Sequence, residues 1–232
     1  VKNNIYFISF GKGKTALIFL HGWQQNGKSF LSLVPYLYKS YKIYLLDMPG
    51  FGKSPFNPDL KNSYDYADLI YFWIKRKRIS KLVLVGHSFG GKVASLVASR
   101  YPSLLKSLIL VSSSGILHPR FYYPFLPLLK RVPFFCGFRD LLLSRDYKEA
   151  GVILPVFKNI VKEDLRDDFA KIKTPTLILW GEDDKELPVQ DAYVINSLIK
   201  GSCIKIIKGA GHFPFVDNPK RIASLIDNFI KK

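Results

Sequence analysis

Leu82-Val83-Leu84-Val85-Gly86-His87-Ser88-Phe89-Gly90-Gly91 begins as four apolar β-formers and then breaks into a serine framed by glycines. Val93, Ala94, Leu96, Val97 and Ala98 follow, apolar on nearly every side, which predicts a helix buried almost all round. Gly86-His87-Ser88-Phe89-Gly90 therefore stands as G-x-S-x-G between a strand and a helix. A serine on so sharp a turn is strained, and side chains at Gly86 or Gly90 would meet neighbouring backbone. The turn leaves a hydroxyl exposed beside a helix N-terminus, whose amides favour developing negative charge. Ser88 is the candidate nucleophile.

A free serine hydroxyl needs a base. The chain has four histidines, His21, His87, His118 and His212. His87 adjoins the serine, so its side chain is expected to point away. His21 closes an early strand before Gly22-Trp23, where it suits a turn, and His118 lies in a segment without strand pattern. His212 lies in Gly209-Ala210-Gly211-His212-Phe213-Pro214, a glycine-rich loop between the last strand and the last helix, which can carry an imidazole over the strand ends. In folds that carry their serine on such a strand–turn–helix, the orienting acid stands between serine and histidine in the chain. The loop Ser112-Ser113-Ser114-Gly115 has none, whereas Glu182-Asp183-Asp184-Lys185-Glu186 follows a strand. On the residues alone, the choice between Asp183 and Asp184 stays open.

Short apolar runs alternate with segments of helical period. The strand candidates are Ile5–Phe10, Ala16–Leu20, Ile43–Leu46, Leu82–Val85, Leu108–Val111, Thr176–Leu179 and Ile204–Ile207. This predicts an α/β fold, a mostly parallel sheet with helices on both faces. Gly11-Lys12-Gly13-Lys14 reads as a hairpin turn, so the sheet is expected to begin with the first two strands antiparallel. Near the C-terminus Ile222, Leu225, Ile226, Phe229 and Ile230 form one apolar helical face. From residue 115 to 168 the alternation stops, prolines interrupt, and the first part is rich in aromatics: Phe121, Phe125, Phe134, Phe135 and Phe138. A stretch this long calls for structure of its own. It reads as a small helical cap inserted into a core domain made of 1–114 and 169–232, with those five phenylalanines as candidate pocket-lining residues.

A chain of 232 residues, 48% hydrophobic and 15% aromatic, suits one domain with a well-buried core. No apolar run reaches the roughly 18 residues of a membrane span, and the opening residues lack a signal-peptide layout; the expectation is a cytoplasmic protein. Two distant cysteines, Cys136 and Cys203, imply no disulfide framework. The histidines do not cluster at metal-ligand spacing, so no metal or organic cofactor is expected. The net charge is +17. Its densest run, Lys75-Arg76-Lys77-Arg78, reads as a solvated helix end rather than a nucleic-acid site, because no nucleic-acid module accompanies it.

Five motifs in order carry a family resemblance: His21-Gly22, Asp47-Met48-Pro49-Gly50-Phe51-Gly52-Lys53-Ser54, the serine turn, Gly181 to Pro188, and Gly209 to His212. With these the chain resembles the α/β-hydrolase superfamily over nearly its whole length. The family's acid pattern, Gly-x-x-Asp-x-x-x-Pro, matches here with Asp184 as its aspartate. The resemblance implies a triad of Ser88, His212 and Asp184, an oxyanion hole from the backbone amides of Trp23 and Phe89, and a structural role for Asp47. It also implies cleavage of small carboxylic esters, lactones included, through an acyl-enzyme. A serine nucleophile argues against the epoxide hydrolase and dehalogenase branches. The opening through His21-Gly22-Trp23 is similar to the pimeloyl-carrier-protein methyl ester esterases. That similarity raises an alternative in which Arg120, Lys130, Arg131 and Arg139 dock an acidic carrier protein. A third reading is a small-molecule receptor that keeps the fold and turns over slowly.

Overall fold

The computed structural model describes residues 4–118 and 151–232. Seven strands form one sheet: β1 (Phe7–Phe10), β2 (Ala16–Leu20), β3 (Lys42–Leu46), β4 (Leu82–His87), β5 (Ser107–Val111), β6 (Thr176–Gly181) and β7 (Cys203–Ile207), in the order β1-β3-β2-β4-β5-β6-β7. All pairs are parallel except β1 with β3. Each strand expected from the apolar runs is present.

The pairing of the first strand differs from expectation. The sheet does begin antiparallel, but β1 lies against β3, with Phe7 opposite Leu46, and not against β2. Gly11 has φ 70°, and a Cβ there would overlap the carbonyl oxygens of Tyr38 and Tyr41. The presumed hairpin turn is instead pressed onto the segment entering β3, which takes the place between the two strands.

The continuous apolar runs are explained by the two cores. Along β2, Ile18 and Leu20 face one cluster while Leu17 and Phe19 face the other, and β4, β5 and β6 divide in the same way. Against the first face pack α2 (Ser63–Arg76) and α3 (Phe89–Arg100), the latter buried from Phe89 through Ala98. A capping box starts α2: Asn62 Oδ1 accepts from the Asp65 amide and Asp65 Oδ2 from the Asn62 amide. The second face is covered by α1 (Val34–Leu37) and by the C-terminal helix, which presents Ile222, Ala223, Ile226 and Ile230.

Of the expected insertion, residues 115–118 and 151–168 are described. Phe121, Phe125, Phe134, Phe135 and Phe138, and the cations Arg120, Lys130, Arg131 and Arg139, lie outside the described residues. The two legs meet where the Leu165 amide donates to the Gly115 carbonyl at 2.8 Å. The returning leg forms α4 (Leu154–Ile160) and leads into α5 (Arg166–Lys171). It is tied to α3 by Lys92, whose buried Nζ donates to the Ile160 carbonyl at 2.7 Å and lies 3.4 Å from Glu163 Oε2. Among the described residues no helix is long and apolar enough to cross a membrane.

Candidate active site

Ser88 occupies the sharp turn between β4 and α3 with φ 50° and ψ −116°, a backbone that L-residues rarely adopt. The surroundings hold it there. The Ser88 amide donates to the Val111 carbonyl, and its own carbonyl accepts from the amides of Lys92 and Ser114. A Cβ on Gly86 would overlap the Gly90 carbonyl, and one on Gly90 those of Leu20 and His21. Both glycines are therefore required by close approach. The Ser88 side chain does not cap α3, and the residue is only half-buried.

The loop after β6 and the loop after β7 meet beside this turn. His212 Nδ1 donates to Asp184 Oδ2 at 2.8 Å, and the Asp184 side chain is wholly buried. The other Asp184 oxygen accepts from the amides of Glu186 and Leu187 at 2.9 and 3.0 Å. Burial by itself pushes the Asp184 carboxyl up; the hydrogen bond from His212 and those two amides outweigh it and hold the group below its ordinary range. Asp183 is exposed and uses its backbone amide to bind the Ala210 carbonyl. The acid left open on the residues is thus separated by geometry: Asp184 meets the imidazole and Asp183 faces solvent. Glu186 stands on the other side of the ring, its Oε2 3.3 Å from His212 Nε2, on a side chain 61% exposed.

The expectation for His87 captures half of its role. The imidazole leaves the serine, but only to support His212: Nε2 donates to the His212 carbonyl at 2.9 Å, and the two rings lie 4.7 Å apart. His87 thereby fixes the His212 loop to the strand that carries Ser88. Burial lowers its pKa to about 3, so it is neutral at pH 7. Its Nδ1 has no partner among the described residues and lies where a Cβ on Gly22 would come within 3.0 Å. The only sequence signal for this role is the motif position itself.

His21 does support a turn. Nδ1 donates to the Gly22 carbonyl at 2.7 Å and Nε2 accepts the Met48 amide at 2.9 Å. Burial lowers its pKa to about 4. Asp47 accepts the amides of Gly27 and Lys53, both at 2.8 Å, so its carboxylate is consumed in shaping the adjacent loops. His118 pairs with Asp191 at 2.9 Å.

Trp23 follows His21-Gly22 at the end of β2, and Phe89 is the first residue of α3. The Trp23 ring packs on Phe51, Phe89 and Phe157, at 4.9, 5.4 and 4.8 Å between centroids. Phe157 belongs to α4, so the returning leg of the insertion rests on the residue beside the serine turn. The ground beside the serine turn is consequently packed with aromatic rings.

The model of the alpha/beta hydrolase fold family matches residues 15–148. The chain is 27% identical to the pimeloyl-[acyl-carrier protein] methyl ester esterase of Aeromonas hydrophila, over 95% of this chain and 97% of that protein. It is 26% identical to the monoacylglycerol lipase ABHD6 of Mus musculus, over 94% of this chain and 76% of that one. Among solved structures, an esterase from Exiguobacterium antarcticum superposes with a TM-score of 0.80, covering 98% of this chain and 96% of its own at 23% identity. The chain belongs to the α/β-hydrolase fold family and is a hydrolase resembling that family's esterases.

Proposed function

We propose that the protein cleaves carboxylic esters through an acyl-enzyme on Ser88. The observation that carries this reading is the His212–Asp184 pair held by His87 against the strand end from which Ser88 projects. With Nδ1–H given to Asp184, Nε2 is the ring nitrogen left to accept the Ser88 proton as Ser88 Oγ attacks the ester carbonyl, once the exposed Glu186 carboxylate 3.3 Å away swings aside. The Trp23 and Phe89 amides stabilise the oxyanion; loss of one such donor typically costs about 100- to 1000-fold in turnover. The imidazolium then protonates the leaving alcohol, and water, deprotonated by the same ring, releases the acid. No step requires a metal or an organic cofactor.

Residues 115–168 act in this reading as a cap over the aromatic ground beside Ser88. Phe121, Phe125, Phe134, Phe135 and Phe138 line the acyl site, which favours an apolar acyl group, in a linear ester or a lactone. A carrier-bound methyl ester is the second reading. It is favoured by the match to the Aeromonas hydrophila esterase over nearly both full lengths and by Arg120, Lys130, Arg131 and Arg139 in an acid-free stretch.

A fluorophosphonate probe tests the centre of the proposal. Ser88 is expected to carry the label. Ser88→Ala should abolish both labelling and hydrolysis of p-nitrophenyl esters without changing the melting transition, because the hydroxyl does little packing. Labelling at another residue would falsify the assignment. Activity on a carrier-bound methyl ester that falls with salt, with none on small esters, would select the second reading.

A further inference from the structure

We infer that the end of the sheet opposite Ser88 docks on an anionic lipid surface. In a parallel sheet the strand starts lie together, and here they carry a row of lysines. Taken across the sheet, β3 starts at Lys42, β2 two residues after Lys14, β4 directly after Lys81, β5 directly after Lys106, β6 three residues after Lys173 and β7 three residues after Lys200. Backbone bonds stitch these starts side by side: the Lys42 amide to the Thr15 carbonyl, the Ala16 amide to that of Lys81, the Lys106 amide to that of Leu82, and the Leu108 amide to that of Pro175. Neighbouring strands are about 4.8 Å apart, so the row spans roughly 24 Å.

The charge is one-sided. The loops at this end, 11–15, 38–42, 77–81, 101–106, 172–175 and 199–202, hold ten Lys or Arg and no Asp or Glu. The loops at the Ser88 end, 21–26, 47–62, 112–118, 182–189 and 208–213, hold six carboxylates against four lysines. Lys14, Lys81, Lys173 and Lys200 are exposed, and none pairs with a carboxylate among the described residues. Helix-dipole complementation accounts for Lys75 and Arg76 in the last turn of α2. It does not account for lysines standing at the strand starts, outside any last turn.

The chemistry of the row points to lipid. Lysine is a point charge without the planar fork by which arginine reads a phosphate or carboxylate in fixed geometry. A broad lysine field therefore reads charge density, which is what an anionic leaflet offers. Two apolar rings stand out of the same region: Tyr38, in one of these loops and 41% exposed, and Phe72, one turn before the end of α2 and 65% exposed. Aromatic rings among cations are the composition of an interfacial contact. Docking on this face turns the Ser88 end toward the aqueous phase, so hydrolysis of a soluble ester proceeds unchanged on the membrane.

Co-sedimentation with vesicles of phosphatidylcholine, with and without phosphatidylglycerol, tests the inference at low and high salt. The wild-type protein is expected to partition onto the anionic vesicles only, and to leave them as salt rises. A surface lysine contributes about fivefold to partitioning, so the triple variant K14Q/K81Q/K173Q should lose about 100-fold. K208Q/K220Q, which removes two charges at the other end, should change it less than twofold. Phe72→Ser should weaken it independently. If the triple variant melts early, Lys14→Gln and Lys173→Gln should each show the fivefold loss alone. Ser88→Ala should bind as the wild type does, so docking is read whether or not Ser88 is the nucleophile. The inference is overturned if wild-type protein ignores anionic vesicles, or if K14Q/K81Q/K173Q binds them unchanged. Retention on duplex DNA or an acidic protein, with vesicles left unbound, overturns it equally.

Discussion

Ser88 at φ 50° is strain that the neighbouring hydrogen bonds and two close-packed glycines sustain, and such strain gathers where a side chain must be presented. The acids beyond β6 divide by the same kind of local detail. Asp184 is buried with three donors on its carboxylate, Asp183 faces water, and Glu186 is 61% exposed. Asp184→Asn is expected to lower ester turnover by about 10⁴-fold, since an amide in that place favours the wrong imidazole tautomer. Asp183→Asn and Glu186→Gln should each stay within about tenfold of wild type. Steady-state rates for the three variants check the ranking, and a greater loss for Asp183 or Glu186 would move the orienting role. At this scale the motif residues were legible because their chemistry is local. The bond from His87 to the His212 carbonyl was not, since it joins residues 125 apart and nothing in either neighbourhood announces it.

Between elements, legibility depended on how each one is buried. The strands stood out because both faces of β2, β4, β5 and β6 meet a core; the partner of β1 did not, because glycines between two strands state only that the chain turns. The same limit hid Lys92. In the sequence it is a polar residue in an apolar helix; in the fold it is 4% exposed and joins α3 to the returning leg of the insertion through Ile160 and Glu163. Burial lowers its pKa, and Glu163 partly offsets the shift. Glu163 also accepts the Ser63 amide at the start of α2, so three elements share the contact. Lys92→Met leaves that carboxylate and the Ile160 carbonyl without their cation, and should cost about 3–5 kcal/mol, the range for breaking one side of a buried pair. Urea denaturation measures it, and adding Glu163→Gln should recover part of the loss. An unchanged midpoint in the single variant would show that water replaces the ammonium without penalty.

Across the whole molecule, two buried neutral histidines couple stability to pH. His21 and His87 titrate near 4 and 3, below the ordinary imidazole value of 6.5, because burial disfavours their charged forms. The unfolded chain therefore binds the extra protons, and the stability these residues contribute is complete above pH 6.5 and falls as the pH drops toward 4. Asp184, held low, adds its own loss only below the carboxylate range. Between pH 7 and 5 each histidine should cost about 2 kcal/mol, read as a falling urea midpoint; a flat profile would contradict the burial argument. The insertion poses the complementary question, whether a segment can be removed without loss of the fold. The seven-stranded sheet and its two cores are built among residues 4–118 and 151–232, and the Leu165 amide bonds the Gly115 carbonyl at the base of the proposed cap. Replacing residues 119–150 by a Gly/Ser linker should therefore leave a cooperative melting transition and hydrolysis of acetyl esters. The same replacement removes Phe121, Phe125, Phe134, Phe135 and Phe138. Each ring that buries against an acyl chain contributes about 1.5–3 kcal/mol, or one to two powers of ten in affinity. The ratio of long- to short-chain kcat/KM should then fall by at least about tenfold, because under the proposed cap short acyl groups do not reach these rings. If that ratio is unchanged while acetyl activity persists, the aromatic segment does not line the acyl site.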